Sequence, residues 1–193
     1  SGSVVRSCVF DEAFSQPIRI EAPWVVVQSN VIVSSVMSGI KVAAPGATIT
    51  GNLVLGAHCM PWCAGCCGKW DVWAGAYEID GGATDDLVLT NNTAAGGPIG
   101  FKFNTAPPAT FADNVAHSAQ FGIIVNGGCG GRPVRLQHTL IYRAWDFGLW
   151  GHTPADCELF EFSHLVFVDS KVSFTWGAAG PDSAQHLIGE QTI

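Results

Sequence analysis

Residues 87–103 read LVLTNNTAAGGPIGFKF and residues 111–125 read FADNVAHSAQFGIIV. Each places an apolar residue three positions before an asparagine, Leu89 before Asn92 and Phe111 before Asn114. Each also places a Gly-apolar pair eight positions after it, Gly100-Phe101 and Gly122-Ile123. The frame recurs in NVIVSSVMSGIKV (30–42), where Gly39-Ile40 stands nine positions after Asn30, and in shortened form in NLVLG (52–56). Asn30, Asn52, Asn92 and Asn114 are therefore spaced by 22, 40 and 22 residues, and Cys8 lies 22 before Asn30 in a similar context. Degenerate copies continue at Thr139 (TLIYRAWDFGLW) and His164 (HLVFVDSKVSF), each 25 residues further on. A period in the twenties with short strands is the signature of a solenoid.

The columns of this register predict a parallel β-helix. Val27, Ile49, Leu89, Phe111 and Leu136 stand three residues before the register position. Val9, Val31, Leu53, Thr93, Val115, Leu140 and Leu165 stand one residue after it. Equivalent residues of successive coils lie about 4.8 Å apart, so both columns are expected to be buried apolar stacks that one coil alone cannot build. Asn30, Asn52, Asn92 and Asn114 are expected to form a structural ladder, because a stacked amide can bond the rungs above and below it. The glycine before the next strand suits a corner that needs positive φ or close backbone approach. An antiparallel sandwich would show turns every 8–12 residues and would not preserve such columns.

Composition agrees. Charged residues make up 13%, glycine numbers 23, and no amphipathic 3.6-residue pattern appears. Nine basic against sixteen acidic residues give −7, which argues against nucleic acid as a partner. No run of 18 apolar residues and no signal-peptide pattern occurs. The ends carry no polar cap of the kind a solenoid needs. Residues 1–193 are thus expected to be one β-helix segment of about seven rungs, a rod of about 34 Å, and part of a larger protein.

The 40-residue gap between Asn52 and Asn92 holds a loop insertion, residues 56–75, with His58, Cys59, Cys63, Cys66 and Cys67 at close spacing. Zinc would use such ligands, yet the spacing matches no paired knuckle. Disulfides outside the cell are favoured, with Cys59, Cys63, Cys66, Cys67, Cys129 and Cys157 as candidates and no metal expected. Seven cysteines leave one without a mate inside this chain. Asn91 heads the one N-glycosylation sequon, Asn91-Asn92-Thr93. Trp62, Trp70 and Trp73, beside Met60, are candidates for an apolar contact surface.

Several ordered stretches resemble the C-terminal right-handed β-helix region of the fibrocystin and fibrocystin-like family: GSVVRSCVFDEAFSQPIRI (2–20), ATITGNLVLG (47–56), LVLTNNTAAGGPIGFKF (87–103), FADNVAHSAQFGIIV (111–125), LIYRAWDFGLW (140–150) and LVFVDS (165–170). The resemblance implies a right-handed parallel β-helix within a large extracellular protein that has immunoglobulin-like repeats, two G8 domains and one membrane anchor. It also implies a cell-surface and ciliary location and no catalytic activity. The Cys- and Trp-rich insertion departs from the family pattern and marks a distant member.

The rival expectation is a polysaccharide-cleaving β-helix enzyme, which needs paired carboxylates or a base with a cation. His117 shares its column with Val33, Leu55, Ala95, Tyr142 and Phe167, which favours a hydrogen-bonded structural histidine. Asp113 has no acidic counterpart in the neighbouring rungs, Asp85-Asp86 follows Gly81-Gly82 in a turn, and Asp146 reads as a corner residue whose carboxylate accepts backbone N–H bonds. Arg132, Arg135 and Arg143, with Trp145 and Trp150 nearby, are the candidate grip for an anionic glycan. The expectation is a non-catalytic scaffold with no cofactor. Its expected partners are neighbouring domains of the same chain, other cell-surface or matrix proteins and further copies of itself. A glycan-binding module is the third possibility.

Overall fold

The computed structural model describes residues 2–59, 74–128, 133–153, 160–178 and 187–192. Among them there is no helix, and all paired strands run parallel. Among the described residues about seven coils stack in order. The first is β1 (Val4–Arg6), β2 (Val9–Asp11) and β3 (Ile18–Ile20). The second is β4 (Val26–Gln28), β5 (Val31–Val33) and β6 (Ile40–Val42), and the third β7 (Thr48–Thr50), β8 (Leu53–Leu55) and β9 (Gly75–Ile79). Later coils fuse two faces into one bent strand: β10 (Val88–Thr90) with β11 (Thr93–Phe103), then β12 (Thr110–Ala112) with β13 (Val115–Val125). β14 (Val134–Tyr142) with β15 (Phe147–Thr153) and β16 (Phe160–Val168) with β17 (Val172–Ala178) follow, and β18 (Leu187–Thr192) pairs with β16. The protein is a three-faced parallel β-helix, with the six steps between its seven coils spanning about 29 Å at the spacing of neighbouring strands.

Each face sends one set of side chains inward. The first contributes Val27, Ile49, Leu89, Phe111 and Leu136, all buried as their column predicts. The second contributes Ile32, Val54, Ala94, Ala116 and Ile141. This inner column stands two residues after the asparagine, not one. The asparagine itself points inward, so strand alternation turns the next residue out and the one after it in. The expected stack of Val9, Val31, Leu53, Thr93, Val115 and Leu140 is accordingly an outer column, and Val9 is 72% exposed. The third face supplies the bulk: Ile40, Tyr77, Phe101 and Ile123 in one column and Val42, Ile79, Phe103 and Val125 in another. Phe111 packs edge-on against both Phe101 and Phe103, at 5.3 Å each.

The corners explain the register. The residue before each ladder position is left-handed: Ser7, Ser29, Gly51, Asn91, Asp113, His138 and His164, with φ between 45° and 66°. So is the residue that closes each second-face strand: Glu12, Ser34, Gly56, Gly96, Ser118, Arg143 and Asp169, with φ between 50° and 68°. Such φ values cost a non-glycine residue about 1–2 kcal/mol. A backbone bond to the next coil accompanies them, as in Ser29 N–H to Thr50 O (3.1 Å) and Ser34 N–H to Leu55 O (2.8 Å). His164 therefore lies one place before the ladder position and stacks on its equivalent, His138, with ring centroids 4.4 Å apart. Leu165 pairs with Thr139 and occupies the ladder site. One extra residue in the coil between them shifts the register from the sequence spacing.

The glycine column works by close approach rather than by positive φ. Gly39, Gly100, Gly122 and Gly148 lie where the chain bends onto the third face. A Cβ at Gly100 would sit 2.5 Å from Gly122 O, and one at Gly122 would sit 2.5 Å from both Gly148 O and Ile141 Cγ2. Gly122→Ala is expected to lower unfolding free energy in urea by about 1–3 kcal/mol, the usual penalty for overpacking. Gly81→Ala, in a turn where a Cβ meets nothing within 4 Å, is expected to leave the urea midpoint within error.

Candidate interaction site: an internal amide ladder and the outer faces

Asn30, Asn52, Asn92 and Asn114 are each at most 2% exposed. Their amides run along the rod in one direction. Asn52 Nδ2–H donates to Asn92 Oδ1 (3.0 Å) and to Val27 O in the preceding coil (3.0 Å), while the Asn52 backbone N–H also donates to Asn92 Oδ1 (3.0 Å). Asn30 repeats this with Asn52, and Asn92 with Asn114. The ladder opens with Cys8 N–H donating to Asn30 Oδ1 (3.0 Å). At the other end stands Thr139, whose hydroxyl donates to Gln137 O (2.9 Å). That is the carbonyl two residues back, the one Asn92 Nδ2–H reaches at Thr90 O. Tyr77 crosses the interior to donate its phenol to Asn52 O (2.8 Å) and Thr93 O (3.2 Å). Burial holds that phenol well above its ordinary pKa.

The third face carries a charged column that sequence reasoning missed. Lys41, Glu78 and Lys102 are aligned on β6, β9 and β11. Glu78 Oε1 lies 3.3 Å from Lys41 Nζ and 3.7 Å from Lys102 Nζ. Ser38 donates to Glu78 Oε2, and Asn104 Nδ2–H bridges Glu78 Oε1 (3.1 Å) and Asp80 Oδ1 (2.9 Å). Lys41 Nζ also meets Asp80 Oδ2 at 3.0 Å. Glu78 and Lys102 are only 8% and 3% exposed, so both charges depend on these partners. Partial burial of Asp80 favours its neutral form. The Asn104 and Lys41 hydrogen bonds and the charges of Lys41 and Lys102 outweigh that and hold its pKa below the ordinary value. Burial likewise disfavours the charged Lys41, and the Asp80 bond and the two carboxylates raise its pKa. A signal was present in the sequence: Lys41 and Lys102 each stand two places after a register glycine, and Glu78 holds the same place after Ala76. The insertion hid it by breaking the period.

The other candidate residues do not converge. His117 stacks flat on Tyr142, centroids 4.5 Å apart, and its Nδ1 lies 3.2 Å from Ser118 Oγ. Burial and then the Arg143 charge lower its pKa, so the ring is neutral at neutral pH. Asp85 and Asp86 are exposed together at one turn and Asp113 at another, and Asp86, like Asp113, has a left-handed backbone. Asp146 Oδ1 faces Lys171 Nζ in the next coil at 3.7 Å. Arg135 lies on the first face, paired with Glu161 at 2.8 Å, whereas Arg143 closes a second-face strand near Asp169 at 4.0 Å. The two arginines therefore do not share a face. Trp150 packs with Ile99, Phe121, Ile124 and Phe147 outside the third face. Asn91 is exposed at its corner, Cys8 is exposed and Cys59 is partly buried. Trp62, Trp70, Trp73, Cys63, Cys66, Cys67, Cys129, Cys157 and Arg132 lie outside the described residues. Among the described residues no group of three or more metal-ligating side chains is assembled, and no helix is long and apolar enough to cross a membrane.

Parallel coils, three faces and an amide ladder at one corner define the class: a β-solenoid built of stacked repeats. No family model matches the chain, and no solved structure matches it significantly. It is 27% identical over 205 aligned residues to Fibrocystin-L of Mus musculus and 26% identical over 205 to Fibrocystin-L of Homo sapiens. Each alignment takes in 99% of this chain and 5% of the relative. The chain is thus similar to Fibrocystin-L along nearly its whole length, and it spans about one-twentieth of the length of the curated relatives it matches.

Asn92→Ala strips the partner from the buried Asn52 N–H and from Ile49 O, which Asn92 Nδ2–H meets at 2.9 Å. The expected loss by urea denaturation is about 2–5 kcal/mol for two orphaned groups. Thr139→Asn is expected to extend the ladder by one rung and add about 0.5–1.5 kcal/mol, one net hydrogen bond. The depressed Asp80 pKa contributes stability that is complete above about pH 3.9, the unfolded value, and is lost as pH falls through the lower folded value. Asp80→Asn is expected to flatten the acid limb of a stability-against-pH curve while lowering stability at pH 7.

Proposed function

We propose that the chain is a non-catalytic structural segment of a large fibrocystin-like protein at the cell surface, the ciliary membrane being the surface the family resemblance implies. It holds neighbouring domains at fixed spacing. The stacked ladder carries this reading. Four buried amides fix successive corners to one another, which holds the described faces of those coils in one register. The first coil supports a docking role. Of the six large hydrophobic residues exposed among those described, Val4, Val9, Phe14 and Trp24 belong to this coil and the loop leaving it. Among the described residues β1, β2 and β3 pair on one edge only, with β4, β5 and β6. An apolar open edge of this kind is a liability unless it is covered, and the occupant proposed is an adjoining part of the same polypeptide, consistent with relatives some twenty times longer.

Hydrogen exchange compared between the full-length protein and residues 1–193 tests this. Amides of Val4–Arg6, Val9–Asp11 and Ile18–Ile20 are expected to exchange at least tenfold more slowly in the full-length protein. Equal rates in both would remove the docking role. Release of new reducing or unsaturated ends from hyaluronan or pectate by the purified full-length protein, abolished by substitutions on one face of this β-helix, would replace the scaffold with an enzyme.

A further inference from the structure

The sixth and seventh coils turn from the second face to the third at Arg143–Asp146 and Asp169–Lys171, and the surface there differs from the rest of the rod. Trp145 is 63% exposed. It lines a shallow cleft with Arg143, Asp169, Ser170 and Lys171. A second depression shares Arg143 and Asp169 and extends the surface over Tyr142, whose ring is stacked on His117. The corner is held in place by backbone bonds, Trp145 N–H to Ala119 O and Asp146 N–H to Gln120 O, both 3.0 Å. An indole in water on a corner tied to the preceding coil is a preorganised platform, and its exposure carries a standing desolvation gain for any ligand with an apolar face.

The charges around the indole select among ligands. Two cations face two carboxylates: Arg143 Nε lies 4.0 Å from Asp169 Oδ2, and Lys171 Nζ lies 3.7 Å from Asp146 Oδ1. The side chains of Arg143, Asp169 and Lys171 are about 70% exposed or more. Pairs this long and this wet hold their partners weakly, so donors and acceptors are open to exchange with a ligand. With no net charge at the corner and −7 on the chain, nothing attracts a polyanion. The match is a molecule with C–H groups on one face and hydroxyls, each both donor and acceptor, around its rim. We propose that this corner binds a neutral carbohydrate. One pyranose ring stacks on Trp145, and its hydroxyls bridge the Arg143–Asp169 and Lys171–Asp146 pairs of adjacent coils.

The indole N–H resonance of Trp145 in the 15N-labelled chain, assigned by its loss in Trp145→Ala, can be followed on titration with cellohexaose, mannohexaose, a neutral N-glycan core, a hyaluronan hexasaccharide and a proline-rich peptide. At least one neutral oligosaccharide is expected to shift the peak saturably, with an affinity that changes less than twofold between 50 and 500 mM salt. By calorimetry, Trp145→Ala is expected to weaken that affinity at least tenfold and Asp169→Asn about threefold, with thermal midpoints unchanged because both side chains are exposed. Three results would overturn the proposal: no shift with any neutral oligosaccharide, salt-sensitive binding of the hyaluronan fragment alone, or saturable binding of the peptide alone. Undiminished carbohydrate affinity in Trp145→Ala would also overturn it, by placing the site elsewhere.

Discussion

A buried asparagine amide must find partners for two N–H groups and a carbonyl, and in this ladder most of the partners are one coil away. That requirement ties the coils together more specifically than apolar burial does. Hydrophobic contact tolerates sliding, whereas a one-residue slip would turn the amide out and leave backbone groups at the corner buried and unpaired. The direction of the bonds matters too. Each Oδ1 takes the backbone N–H of the preceding rung, and each Nδ2–H reaches a first-face carbonyl of the preceding coil. Every asparagine thereby stitches a corner to the strand before it.

The ladder also explains how the chain carries its insertion. Asn52 and Asn92 are 40 residues apart, nearly twice the usual step, yet their bonds match those of neighbours 22 apart, 3.0 Å in both cases for the backbone donor. The extra residues leave after the second face and return at β9, where the third face resumes its columns. Glu78 lies directly after that return. Its ion pairs with Lys41 and Lys102 join the strands on either side of β9, so the coil with the longest excursion is fastened at the third face by charge and at the second-face corner by amides. Corner strain is distributed along the rod, since left-handed serine, aspartate and histidine residues recur at the corners that glycine does not occupy.

The β-helix was legible because its signal is spacing, and spacing survives substitution. Leu89 and Phe111 before Asn92 and Asn114, with Gly100 and Gly122 after them, mark one coil each. What was misread depended on facing direction. Val9, Val31 and Leu53 are as apolar as core residues, and only the inward orientation of the neighbouring asparagine shows that they lie outside. The break at His164 came from one added residue, which spacing alone assigned to the wrong side of the corner. The Lys41–Glu78–Lys102 column stayed hidden because opposite charges in one column look unrelated until the strands are aligned. The arginines looked like neighbours because nearness in sequence does not report the corner that lies between Arg135 and Arg143.

The most direct measurement is scalar coupling across the hydrogen bonds of the ladder, from the backbone 15N of Asn30, Asn52 and Asn92 to the side-chain 13Cγ of Asn52, Asn92 and Asn114. Stacked coils predict all three couplings, each linking residues one turn apart. Their absence, together with cross-strand proton contacts of antiparallel hairpins, would contradict the account at its base.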